Sequence, residues 1–237
     1  MALMQPPAVE QLLQQALLPE GIRTAEATLK QALGQPPFRC ALAERLCFST
    51  EPQVRQLAAV LMRRRIGSHW TKLDATTQHS LKASLLESVT NEPERSVRRN
   101  VANVVAVIAK HTLPRGEWNE LFTGLLNCTR SASEQHREVA MLMLSSLLES
   151  EEVVECLQPH FPMLCQVLHA ALGEQGSVVV PREALKAVGA WAGTVLEGDD
   201  ASLLKPLLPT MLQVGARATG AGAGAPGAPP DEETVKV

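Results

Sequence analysis

Four segments of this chain share one layout: VRQLAAVL from Val54, VRRNVANVVAVI from Val97, REVAMLMLSSLL from Arg137 and REALKAVGAWAG from Arg182. Each sets an arginine in what would be a first helical turn and follows it with small apolar residues alternating with Leu, Val or Ile. Arg55, Arg98, Arg137 and Arg182 are 43, 39 and 45 residues apart. A recurrence of about 40–47 residues is the mark of helix pairs or triplets stacked in an array. One pair cannot bury its apolar face alone, so neighbours must stack and the core must run continuously through them.

Apolar residues at i, i+3, i+4 and i+7 continue through nearly every segment from Val9 to Val214, broken at short intervals by Pro, Gly or a small polar residue. The pattern predicts eleven helices, near 9–18, 22–33, 36–48, 52–65, 75–89, 93–110, 117–128, 134–148, 153–172, 179–196 and 201–214. Two helices per period favour the HEAT form. The expected fold is therefore all-α: a HEAT-repeat α-solenoid, a right-handed superhelix of antiparallel helix pairs, with about five pairs plus one helix over residues 1–214. Residues 215–230, rich in Gly, Ala and Pro, read as a flexible tract. Residues 231–237 (DEETVKV) read as the acidic start of a further, truncated helix.

Composition agrees and excludes much else. Only seven of 237 residues are aromatic, three Trp and four Phe with no Tyr, too few for a β-sandwich or barrel of this size. Leu and Ala, good helix formers, supply the apolar content instead. With 22 Lys+Arg against 25 Asp+Glu, the formal net charge of −3 lacks the basic excess of a nucleic-acid binder. No uninterrupted apolar run of about 18 residues is present, so no membrane insertion is expected. The N-terminus lacks the basic and continuous apolar regions of a secretory signal. Five scattered cysteines fit reduced thiols better than a disulfide framework.

No catalytic or nucleotide-binding motif is present, and neither an enzyme nor a cofactor is expected. Cys156, His160, Cys165 and His169 form two i,i+4 pairs, but Pro159 and Pro162 interrupt them and no C-x₂₋₄-C pair accompanies them. Packing is the favoured reading over zinc. Arg63, Arg64 and Arg65 close the fourth helix, where cations complement the dipole, with a partner-facing patch as the alternative. Arg55 and Arg98 each follow an acid by four, Glu51 and Glu94, which favours intrahelical ion pairs. The run Glu149, Glu151, Glu152 and Glu155 reads as a solvated turn. Trp70, Trp118 and Trp191 read as anchors between repeats, with aromatic-lined peptide grooves as the alternative.

The segment from Glu51 to Arg64, EPQVRQLAAVLMRR, followed by Ile66 and Trp70, resembles the importin-β N-terminal domain. Arg23-x-Ala25-Glu26-x-x-Leu29 upstream is similar to that family's first repeat. Leu81-Lys82-x-x-Leu85-Leu86, Trp118-x-x-Leu121, Arg137-Glu138-Val139-Ala140 and Leu207-Leu208-Pro209-x-Met211 continue the likeness over residues 9–214. The resemblance implies the N-terminal portion of a nuclear transport receptor that shuttles between cytoplasm and nucleus, its full-length relatives carrying many more repeats. It implies that the second helix of each pair lines the concave side. There the GTP form of the small GTPase Ran would bind, near Gln56, Arg63, Arg64, Asn100, Asn103 and Glu138. Outer-helix grooves would take nucleoporin Phe-Gly segments, and the cargo would be basic proteins such as histones and ribosomal proteins. A HEAT scaffold outside transport is the rival expectation.

Overall fold

The structure is a computed structural model that describes residues 5–195 and 199–218. Among them are twelve α-helices and no strand: α1 (Pro6–Leu17), α2 (Ile22–Ala32), α3 (Pro36–Phe48), α4 (Pro52–His69), α5 (Ala75–Asn91), α6 (Arg95–Thr112), α7 (Asn119–Thr129), α8 (Glu134–Leu148), α9 (Glu151–Leu157), α10 (Phe161–Leu172), α11 (Val179–Val195) and α12 (Leu208–Ala218). Five helix pairs and a last helix result, with α9 added beside the fifth pair. No described helix is long and apolar enough to cross a membrane.

The single helix expected over 153–172 is two helices. Pro159 lies in the 3-10 turn Gln158–His160, and Pro162 sits in the first turn of α10. A helix interior would lose a hydrogen bond and clash at each, whereas first turns accept proline. Likewise Asp199–Leu207 is a 3-10 stretch containing Pro206, and α12 starts only at Leu208. It continues to Ala218, four residues into the expected Gly/Ala tract; the rest of that tract and residues 231–237 lie outside the described residues. Two glycines are required by geometry. Gly116 ends a 3-10 turn at φ 68, and a Cβ on Gly21 would stand 2.4 Å from the Gln15 carbonyl oxygen.

The layers are unequal. Helices α4, α6, α8 and α11 pack side by side over much of their lengths, while their partners α3, α5, α7 and α10 touch one another only lightly. Small buried residues permit the close stack, among them Ala58, Ala59, Ala102, Ala109, Ala140 and Ala184. A layer packed more tightly than the one behind it lies on the inside of a curved array. The second helices therefore form the concave side. At the N-terminal edge α1 packs on α3 and α4, with Glu10 accepting from Arg45 at 2.6 Å and Ser49 at 2.7 Å. All three tryptophans are buried to 1% exposure or less, and the Phe161 and Trp191 rings lie 5.0 Å apart. They are anchors within the stack, as their sequence context predicts.

The recurrent arginine has a definite task. Arg39, Arg55, Arg98 and Arg137 each stand four residues after an N-cap, at Gln35, Glu51, Glu94 and Ser133. A side chain there leans back past the helix start. Each donates Nη1 to the carbonyl six residues earlier, at Leu33 (3.1 Å), Ser49 (2.8 Å), Glu92 (2.8 Å) and Ser131 (2.8 Å). This satisfies carbonyls that the end of the preceding helix or its turn leaves without partners. Three of the four then reach the next repeat: Arg55 to Glu92, Arg98 to Glu138 and Arg137 to Glu174. The pairs expected with Glu51 and Glu94 do not form, because the same backward lean carries each guanidinium to the neighbouring repeat. Arg182 departs from the series. In α11 the capping hydroxyl is Ser177, five residues earlier. One extra residue is about 100° of helix, and Arg182 is half-exposed.

Candidate protein-interaction surface

The concave side presents a row of polar side chains at helical spacing. On α4, Gln56 and Arg63 lie on the same side of the helix two turns apart, and Arg64 adjoins. On α6, Asn100 and Asn103 share a side about one turn apart. Gln56 is half-buried and accepts a hydrogen bond from Ser96 Oγ at 3.3 Å. Asn100 donates to the Ser96 carbonyl at 2.8 Å, so Ser96 joins these two across the α4–α6 seam. Asn103 accepts from Ser146 Oγ at 2.9 Å across the α6–α8 seam. Arg63 and Arg64 are exposed and have no partner among the described residues. Further along the same seam, a Cβ on Gly67 would meet Val107 and His111 at 3.3 Å, which shows how closely α4 and α6 approach.

Glu138 belongs elsewhere. It is 4% exposed, takes Arg98 at 2.9 Å and is also bonded by Arg95. A carboxylate held by two guanidiniums inside the stack presents nothing to a partner, and its contribution is to bind α6 to α8. Beside it is a group that the repeat pattern alone does not reveal. Glu183 on α11 is 1% exposed and receives Arg95, which reaches over α8, and Lys186 at 3.0 Å. Arg99 and Arg182 stand 3.8 and 3.5 Å from the same oxygen. Burial pushes the Glu183 carboxyl up, but Lys186, Arg95 and Arg99 together outweigh burial and hold it below the usual glutamate range. Its folded value is thus lower than its unfolded one. The linked stability is complete above the ordinary glutamate range and lost as pH falls through the lowered value. Glu183→Gln should accordingly lower the melting temperature at neutral pH, and the gap from wild type should close in acid. Thermal melts across pH check this.

On the opposite side, α3, α4 and α5 enclose an open cavity of about 380 Å³. Its wall is largely apolar, with Ala43, Phe48, Met62, Ile66, Leu73 and Leu81. Phe48 is 64% exposed. Small-molecule pockets span about 300–1,000 Å³. Cys47 lines it too, but burial pushes its thiol up to about 11, so it stays protonated and unreactive. The Cys156/His160 and Cys165/His169 pairs are on separate elements, and His160 stacks near Phe122 with ring centroids 6.0 Å apart. Among the described residues no three His, Cys, Asp or Glu side chains are placed to hold a metal.

Sequence reasoning missed Ser96, Ser146, Arg95, Arg99, Glu183 and Lys186. One signal was available. Arg95, Arg98 and Arg99 crowd the start of α6, where the helix dipole disfavours cations, so something other than local helix stability holds them there.

Comparison with known proteins agrees with this architecture. Residues 25–91 match the family described as Importin-beta N-terminal domain, and residues 93–223 match the family described as IPO5-like, TPR repeats. Importin-4 of Homo sapiens is 34% identical over 211 residues, covering 88% of this chain and 19% of that protein. The Probable importin subunit beta-4 of Schizosaccharomyces pombe is 34% identical over 146 residues, 60% of this chain and 14% of that protein. Among solved structures, Kap121p superposes with a TM-score of 0.74 at 21% identity, over 91% of this chain and 21% of that one. Kap121p bound to Nup53p gives 0.72 at 20% identity, over 92% of this chain and 21% of that one. The chain thus spans about a fifth of the length of the curated relatives it matches at fullest coverage, which are 19% covered.

Proposed function

This chain belongs to the importin-β family of transport receptors, and from that premise we propose that it forms the Ran-binding N-terminal part of a nuclear import receptor. The observation that carries the proposal is the inner row of α4 and α6. Gln56 and Asn103 are tied across the seams, Asn100 is held to Ser96 on its own helix, and beside them Arg63 and Arg64 are exposed cations with no partner among the described residues. A partner laid on this row meets prearranged polar groups over closely packed small residues, and losing either arginine costs the fold little. The GTP form of Ran is the partner assigned to it. Basic proteins such as histones and ribosomal proteins would be carried by the whole receptor, which would shuttle between cytoplasm and nucleus. The reading is of a binding module and not an enzyme. The test is a pulldown with Ran loaded with GTP or GDP: retention of the GTP form alone supports the reading. Equal retention of both, or of neither, favours a HEAT scaffold outside transport.

The cavity between α3 and α5 is assigned to nucleoporin Phe-Gly segments. Its supports are the outer-layer position, the apolar wall, a volume suited to an aromatic side chain and the exposed Phe48 at the rim. Peptide recognition through an apolar anchor in such a groove is a familiar mode. Ser80 lines the cavity and is exposed. Ser80→Trp should fill the space, abolish uptake of a Phe-Gly peptide in a fluorescence titration and leave the melting temperature within about a degree or two, as for most surface substitutions.

A further inference from the structure

The charge count around Glu183 is unbalanced. Within ion-pair distance of the two buried carboxylates, Glu138 and Glu183, are five cations: Arg95, Arg98, Arg99, Arg182 and Lys186. Three positive charges are left over. Arg95 and Arg98 are accounted for by the stack, since both bond Glu138. Arg99 and Arg182 are not. Each approaches Glu183 no closer than 3.5 Å, and neither makes a hydrogen bond among the described residues. Their side chains are about half-exposed, as is that of Lys186. Three cations from α6 and α11 thus stand at one place over the start of α8, most of their donors unused.

We propose that this cluster of Arg99, Arg182 and Lys186 is a docking site for an acidic segment of a partner protein. The chemistry favours carboxylates. A free guanidinium fork matches a carboxylate with two parallel bonds. Glu183 anchors Lys186 and Arg95, so the site is partly organised before a ligand arrives and less entropy is lost on binding. A long polyanion is disfavoured by the chain's net charge of −3 and by the short reach of the cluster at physiological salt. A few consecutive Asp or Glu side chains fit a patch with three spare charges. The site adjoins the Ran row, since Arg99 precedes Asn100 and stands one turn before Asn103 on α6, but binding of an acidic peptide is read in the absence of Ran.

The experiment uses the whole chain, a fluorescein-labelled Asp/Glu-rich peptide and its Asn/Gln counterpart, read by anisotropy. The acidic peptide should bind, the neutral one should not, and added salt should weaken the binding. Arg99→Gln with Arg182→Gln and Lys186→Gln should reduce affinity roughly tenfold or more. Arg99→Gln alone, with an unchanged melting temperature, should give a smaller loss of the same kind. Reversal in Arg99→Glu with Arg182→Glu should shift preference to a Lys-rich peptide. Equal binding by wild type and the triple variant would overturn the proposal, as would no binding at low salt. Tighter binding of a single-stranded oligonucleotide than of the acidic peptide would also overturn it and point to nucleic acid.

Discussion

Replacing Glu92 with alanine is expected to destabilise the solenoid by about 3–5 kcal/mol, the usual consequence of removing one partner from a buried ion pair. Glu92 is 5% exposed. Its carboxylate accepts Arg55 Nε and Nη2, both at 2.7 Å, and the Glu94 backbone N–H at 3.0 Å. Its carbonyl accepts Arg98 at 2.8 Å and Gln135 at 3.2 Å. One residue thus ties three successive second helices, α4, α6 and α8. Alanine would strand the Arg55 guanidinium at 9% exposure with only the Ser49 carbonyl as partner. For a chain of this size the melting temperature should fall by roughly 6–20 °C. Arg55→Met combined with Glu92→Leu should recover much of the loss, because an apolar pair leaves no buried charge. Urea denaturation of the wild type, Glu92→Ala and the Arg55→Met/Glu92→Leu double variant checks both statements.

Trp191→Ala should have an effect of similar size, about 3–5 kcal/mol, by a different route. The ring is fully buried on α11 and packs against Phe161 of α10 at 59° between planes. Removing it leaves a cavity that two helices cannot easily collapse. Its indole N–H has no hydrogen-bond partner among the described residues. Trp191→Phe should therefore cost much less, because the lost volume is partly offset by the removal of an unsatisfied donor. The damage should also be local. A solenoid's stability is a sum of repeat and neighbour terms, so α10 and α11 should melt before α4 and α6. Hydrogen exchange on Trp191→Ala should show the C-terminal pairs opening early while the inner row of α4 and α6 stays protected.

Much of this architecture was legible in the sequence because helical periodicity and a recurrent arginine are local signals. The arginine's partner was not legible. Nothing in the i,i+4 spacing of Glu51 and Arg55 says that the side chain leans back and across to Glu92, some 37 residues on. Arg182 looks like a fourth member of the series until the cap at Ser177 shifts its register by one residue. Arg39 is a member that the spacing of the other four conceals. Pro159 and Pro162 were visible, and the break between α9 and α10 follows from them directly. Gln56, Asn100 and Asn103 stand along the α4–α6 and α6–α8 seams, whereas Glu138 is taken up by the stack. The cluster at Glu183 needs α6 and α11 to meet across α8, a contact 88 residues apart for Arg95. The cavity walled by Phe48 likewise exists only once α3 and α5 are set side by side.

The central claim is that the inner row of α4 and α6 recognises Ran in its GTP form. The most direct test is a calorimetric titration of Ran, loaded with GTP or GDP, into the wild-type chain and into Arg63→Ala with Arg64→Ala and Asn103→Ala. Binding to the GTP form, weaker or no binding to the GDP form, and a loss of roughly tenfold or more in the variant are expected, with a melting temperature lowered by only a few degrees through loss of the Asn103–Ser146 bond. Equal affinity of wild type and variant for Ran bound to GTP, or no distinction between the two nucleotides, would contradict it.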